Sequence, residues 1–187
     1  MSILITGFEP FDGATRNPSW EAAALVPEEV AGQAVHKVQL PTVFGLAAEQ
    51  LRSAIARIRP EIVICCGVAG GRRAVTPELV AINYRHARIP DNAGQMFRAQ
   101  PIMADGPAAY MTRLPIHRMI EALSAAGIPA QLSLSAGAYV CNDVYYALLE
   151  SEAEFGHRGL FVHVPGEDVV SVQDAARAIV LCLENAV

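Results

Sequence analysis

Three residues, far apart in the chain, are of the types that make and break acyl bonds. Cys141 stands in "SAGAYVCNDVYYALLE" (135–150), where a small-residue turn gives way to a helical pattern. If a helix begins near Val140, the thiol sits in its first turn, where unbonded N–H groups and the helix dipole favour negative charge and lower a thiol pKa. On residue type alone a buried core hydrophobe is the commoner outcome for a free cysteine. His163 interrupts the apolar run "LFVHVPG" just before Pro165 and Gly166. Sites in open α/β sheets assemble at the carboxyl ends of strands, so a polar side chain there suggests function. A core histidine bonded to a backbone carbonyl is the alternative. Glu78, in "VTPELVAINY", follows the glycine-rich turn "GVAGGRR". It could orient an imidazole, or be a solvated strand-end charge, the commoner state of glutamate. Glu9, Glu21 and Asp91 compete with it on physical grounds. A thiol, an imidazole and a carboxylate would together serve nucleophilic acyl transfer. Cys65, Cys66 and Cys182 lie within apolar patterns and read as core, while His36, His86, His117 and His157 stand among charged or polar neighbours.

Those residues need a frame. "SILIT" (2–6), "EIVICC" (61–66), "PAQLSLS" (129–135) and "GLFVHVP" (159–165) read as strands, the first two closed by glycine as doubly buried strands commonly are. Ala47, Leu51, Ile55 and Ile58 recur at helical spacing, and Ile116, Ile120 and Leu123 lead to Gly127 as a C-terminal stop. Asn17 followed by Pro18 predicts an N-cap and a first-turn proline, and "SVQD" (171–174) resembles a capping box before the last helix. This alternation predicts an α/β fold: a three-layer α/β/α sandwich whose central sheet is mixed but mainly parallel, with any mixing at its edges. The stretch 85–112 has no clear period, and a loop that long predicts a site wall or an interface.

Size and charge bound the rest. With 187 residues the chain can bury one good core, which predicts a single domain over 1–187. The 14 basic and 19 acidic residues form no basic stripe, which argues against nucleic acid as a partner. No apolar run reaches the ~18 residues of a membrane span, so no membrane partner is expected. The start "MSILITGFEP" has no basic n-region or cleavage site, and Cys65 and Cys66 are adjacent, so a reducing cytoplasm fits better than a disulfide framework. C-x-x-C, H-E-x-x-H and EF-hand spacings are missing, so no metal site is expected. "GVAGGRR" matches neither a dinucleotide fingerprint nor a P-loop, and "SLSAG" is not a G-x-S-x-G elbow.

Five stretches, in chain order, carry a further inference: "ILITGFEPFDG" with "NPSWEA", "GVAGGRRAVTPELVAIN", "ARIPDNAG", "LSAGAYVCNDVYY" and "FVHVP". Over essentially its whole length the chain resembles the pyrrolidone-carboxylate peptidases, cysteine-type pyroglutamyl peptidases. The resemblance implies hydrolysis of the amide bond after an N-terminal pyroglutamyl residue, through a thioester, with Cys141, His163 and Glu78 as catalytic residues. It implies a lactam pocket lined by Phe8, Phe11, Ile89 and Val140, with Asn17 and Arg88 supporting the pocket and the reacting carbonyl. It further implies small pyroglutamyl peptides as partners, no cofactor, and a cytoplasmic homotetramer. Val68 stands where many bacterial members carry glutamine, Leu79 where many carry arginine, and the segment after Pro165 is shorter than usual. Two other readings remain at this level: a protein that binds a lactam or pyroglutamyl ligand without cleaving it, and a nucleoside-phosphorylase-like transferase sharing the fold.

Overall fold

The strand and helix alternation is realised in a computed structural model that describes residues 2–186. In chain order the elements are β1 (Ser2–Phe8), α1 (Pro18–Leu25), β2 (Glu29–Val30), β3 (Gln33–Leu40), α2 (Leu46–Ile58), β4 (Ile62–Val68), β5 (Thr76–Glu78), β6 (Val80–Ile82) and β7 (Ala109–Met111). They continue with α3 (Ile116–Ala125), α4 (Val140–Glu150), α5 (Glu152–Phe155), β8 (Arg158–Val164) and α6 (Val172–Glu184). The main sheet has six strands in the order β2-β3-β1-β4-β8-β5, and β6 pairs with β7 in a separate ribbon. The central strands β3, β1, β4 and β8 run parallel, while β2 and β5 attach antiparallel at the edges. The expected sandwich, parallel at its centre and mixed at its edges, is therefore the fold.

Side chains alternate across each strand, so one doubly buried sheet feeds two cores. Ile3, Ile5, Ile62, Ile64, Leu160 and Val162 pack with α1, α3 and α6 on one face. Leu4, Val63, Cys65 and Phe161 pack with α2 and α4 on the other. Cys65, Cys66 and Cys182 are fully buried in these cores, as expected. Among the described residues, no helix is long and apolar enough to cross a membrane.

Local signals set the helix ends. The Asn17 side chain accepts the Ser19 N–H at 3.0 Å, with Pro18 opening α1. Ser171 accepts the Asp174 N–H at 3.1 Å, but its hydroxyl donates to Asp174 Oδ2 at 2.9 Å, so the "SVQD" cap is only half a capping box. After α3 the chain reverses through Gly127, at φ 77°, and the Ile128 N–H returns to Leu123 O at 3.0 Å.

Two expectations need correction. "PAQLSLS" is not a regular strand: it runs beside residues 75–79 with four backbone hydrogen bonds but forms two isolated parallel bridges, Val75 to Ala130 and Glu78 to Ser133, rather than a continuous ladder. The Ser133 hydroxyl donates to Ser135 O at 3.2 Å and accepts its N–H at 3.3 Å, a local serine turn that follows the last paired residue. Conversely, β3 has no counterpart among the expected strands. Its half-exposed sequence "QAVHKVQL" buries only Val35 and Leu40, too sparse a signal to read as a central-sheet neighbour.

Gly7 shows how tightly α1 seats on the sheet. A Cβ there would lie 2.6 Å from Trp20 Cα and 2.7 Å from Trp20 N, and backbone cannot swing away as a side chain can. Gly7→Ala is expected to lower stability by about 1–3 kcal/mol in chemical denaturation. Gly70→Ala, where the added methyl meets open space, should leave the denaturation midpoint unchanged.

Candidate active site

The carboxyl ends of β1, β4 and β8 meet one cavity of about 400 Å³, whose lining includes Phe8, Val68 and His163 from those strand ends. The strand order reverses there, with β3 beside β1 on one side and β4 on the other, the usual place for a site in an open sheet.

The antiparallel edge brings the acid to the imidazole. Thr76 pairs with His163 and Glu78 with Phe161, so Glu78 and His163 are diagonal neighbours on one sheet face. His163 Nδ1 lies 2.7 Å from Glu78 Oε1. An ionised carboxylate only accepts, so Nδ1 carries the proton and Nε2 keeps the lone pair. His163 is 4 % exposed and Glu78 fully buried. Burial works against the Glu78 charge, but the hydrogen bond from His163 and the charge His163 carries once protonated, with the Arg72 charge, outweigh it and hold the carboxyl below its usual pKa. Burial also lowers the His163 pKa; Glu78 opposes this and Arg72 adds to it, so the resting imidazole is neutral.

Cys141 arrives from the opposite layer. Gly137, at φ 81°, ends the incoming loop, and Tyr139 opens α4 with no side-chain cap. By helix geometry the N–H groups of Val140 and Cys141 have no carbonyl in their own helix to bond, and both residues line the cavity. The thiol settles over Gly67, whose added Cβ would lie 2.9 Å from Cys141 Sγ. Gly67 pairs directly with His163 across β4 and β8, so the missing side chain opens space for sulfur beside the imidazole. The expected lowering of the thiol pKa does not hold. Burial first, then the Glu78 charge, pushes Cys141 up to about 12, against the opposing influence of Arg72. The first turn of a helix is too weak a field to outweigh that desolvation.

The same cavity gathers Phe8, Phe11, Asn17, Val68, Arg88, Ile89 and Val140 with Cys141 and His163; Glu78 sits behind the imidazole rather than in the lining. Asn17 is fully employed in shaping the wall, its Nδ2 donating to Glu9 O at 3.0 Å while Oδ1 caps α1. The competing carboxylates have structural work. Glu9 accepts the Thr42 N–H and the Asn92 amide, Asp91 accepts Phe44, Ala93 and Gln95 N–H groups, and Glu21 pairs with Arg16. Through Asp91 and Asn92 the 85–112 stretch is pinned as the expected wall, though its end forms β7.

Thr42, Arg72, His86 and Tyr139 also line the cavity and were not expected. Tyr139 donates to Pro90 O at 3.0 Å and packs against Phe11 and Phe44, joining three loops. Arg72 follows Gly70 and Gly71 directly after a strand, and that position was its one sequence signal. Chemically, the arrangement offers a nucleophile, a base oriented by a buried acid, and helix N–H groups beside them.

A sequence model of the pyroglutamyl peptidase family matches residues 1–187. The chain is 51 % identical over 166 residues to the pyrrolidone-carboxylate peptidase of Streptomyces coelicolor, covering 87 % of this chain and 77 % of that one. With the Bacillus subtilis pyrrolidone-carboxylate peptidase the identity is 50 % over 166 residues, with the same coverages of 87 % and 77 %. The crystal structure of Bacillus amyloliquefaciens pyroglutamyl peptidase I superposes with a TM-score of 0.93 at 40 % identity, covering 99 % of this chain and 96 % of that one. A mutant pyrrolidone carboxyl peptidase from Pyrococcus furiosus gives 0.94 at 36 % identity, covering 100 % and 98 %. Matched from first residue to last, and sharing its fold with solved members, the chain belongs to the pyroglutamyl peptidase family.

Proposed function

We propose that this chain, acting as one domain, is a cysteine peptidase that hydrolyses the amide bond after an N-terminal pyroglutamyl residue. The observation that carries the reading is a thiol and a carboxylate-held imidazole on a cavity that has no aspartate or glutamate among its described lining residues. An ordinary aminopeptidase must hold a substrate ammonium, which needs negative charge. Pyroglutamate has closed its amine into a lactam and brings no such charge. The apolar faces of its ring suit Phe8, Phe11, Ile89 and Val140, while its N–H and C=O need polar partners or cost about 1–3 kcal/mol each.

In the reaction, Cys141 Sγ attacks the pyroglutamyl carbonyl carbon as its proton passes to His163 Nε2. The carbonyl oxygen gains the displaced electron pair and is held by the N–H groups at the start of α4. The intermediate collapses, the C–N bond breaks, and the departing amine takes the proton from Nε2, leaving a thioester. Water then attacks with Nε2 as base, and the thiol leaves with its proton restored. A thiol pushed up to about 12 is ionised only in trace amounts at neutral pH, so transfer to a neutral imidazole is required. Glu78 keeps Nδ1 protonated and stabilises the imidazolium as it forms. Val68, an apolar cavity residue, adds ring contact. Free cysteines in such a site suit a reducing cytoplasm. The exposed side chains of Met111 and Leu134, 63 % and 64 % accessible, offer apolar surface for the homo-oligomer the family resemblance implies.

Cys141→Ser and His163→Ala are each expected to abolish release of a reporter amine from a pyroglutamyl amide with the fold intact by circular dichroism. Glu78→Gln should retain more activity than either. Wild-type protein that binds a pyroglutamyl peptide without cleaving it would replace the enzyme by a binder. Because the His163 pKa lies below its ordinary 6.5, the neutral base survives to lower pH, and kcat/KM should fall only as pH drops through a value under 6.5. An acid limb centred above 7 would contradict a neutral resting imidazole. Gly67→Ala, which crowds sulfur, should reduce kcat by about 10- to 100-fold with KM changed less than threefold, measured on the same amide.

A further inference from the structure

Glu78 is a fully buried carboxylate, and a charge taken wholly from water must be compensated. His163 donates to its Oε1, but a neutral imidazole supplies no charge. The compensation lies on the same oxygen. Arg72 reaches Glu78 Oε1 at 2.5 Å with one guanidinium nitrogen, which also bonds Thr76, and donates to Ser135 O at 2.9 Å with the other. Its side chain is 24 % accessible, so this cation is largely shielded from solvent.

The turn explains how the arginine gets there. The Ala69 N–H extends the β4–β8 ladder to Val164 O at 2.9 Å, and the Arg72 N–H closes a tight turn on Ala69 O at 2.9 Å. Gly70 and Gly71 stand in open space at its tip. The chain thus folds back over β5 and lays Arg72 between Glu78 and the loop that leads to Cys141.

We propose that Arg72 is a positioning residue of this site: its guanidinium balances the Glu78 charge, leaving His163 a free base, and ties the Ser135 loop that delivers Cys141. This role rests on the peptidase reading for its importance to catalysis, though the charge balance does not. Without Arg72, the counter-charge available to Glu78 is an imidazolium, and a proton held at His163 cannot be taken from sulfur. The titratable and charged groups facing the imidazole are Glu78 on β5, Arg72 from the turn, and Cys141 on α4. Tyr145 on α4 donates to Glu78 O at 2.6 Å, and its phenol stays neutral because burial raises its pKa.

The test follows the His163 imidazole by NMR across pH in substrate-free protein, alongside pH profiles of pyroglutamyl-amide cleavage. In Arg72→Gln the His163 titration should move up by about one pH unit, carrying the acid limb of kcat/KM with it, while kcat falls at least tenfold. Arg72→Lys keeps the charge but cannot span both Glu78 and Ser135. It should titrate within about 0.3 units of wild type and still lose several-fold in kcat. An unmoved His163 titration in Arg72→Gln overturns the proposal. If Arg72→Gln does not fold, Arg72→Lys decides, and an upward shift of one unit in that variant overturns it equally. A wild-type protein inactive on the amide would sink the peptidase reading, whereas the NMR titration would still judge the charge balance.

Discussion

The carboxylate of Glu78 has no contact with solvent, and much of the site is arranged around keeping it charged. Isolated in a low-dielectric interior it would protonate, and a protonated acid would no longer fix which imidazole nitrogen carries hydrogen. Holding it requires donors from several elements at once. β8 supplies His163, and the turn after β4 supplies Arg72. That requirement accounts for the antiparallel β5. A parallel strand would enter the sheet from the far end, whereas a three-residue return strand delivers Glu78 and Thr76 next to His163 within a few residues of the turn.

The second constraint is approach distance. α4 comes from the other layer and must bring sulfur to the imidazole without displacing the sheet. Gly67 allows this because its register partner is His163 and its missing Cβ is the volume the thiol occupies. The same packing partly buries the Cys141 sulfur and raises its pKa, so packing that would position the proposed nucleophile also keeps it protonated. The two effects are compatible if the proton leaves during attack rather than before it. A neutral thiol beside a neutral imidazole costs little to bury, and charge separation is deferred to the moment when helix N–H groups can meet the new oxyanion.

Much of this was legible in the sequence where a residue type conflicted with its pattern. A histidine in an apolar strand, a cysteine at a helix start and a glutamate between proline and an apolar run each broke a local rule; the first two line the cavity and the third lies behind the imidazole. The parallel centre of the sheet could be read from continuous apolar runs for β1, β4 and β8. β3 could not, because six of its eight residues are partly or well exposed and resemble a surface segment. "LSLS" alternates like a strand, yet a serine side chain there satisfies its own backbone, a competition periodicity does not report. Arg72 was hidden for a different reason. An arginine after two glycines is ordinary on a surface, and its meaning depends on a buried acid six residues later folding back beneath it. The thiol pKa departs from the expectation because helix position is a sequence property, whereas burial, and then the charge of Glu78, depend on groups that are distant in sequence.

The absence of acidic side chains among the described residues of the cavity lining links recognition to chemistry. A carboxylate placed there would attract a free amino terminus, the group a lactam lacks. It would also stand near His163 and favour its protonated form, removing the base that the thiol needs. The acid beside the imidazole is instead set behind the ring, fully buried and paired with Arg72. On the proposed reading, selectivity against ordinary amino termini and a resting state with an available base would both follow from the same placement of charge.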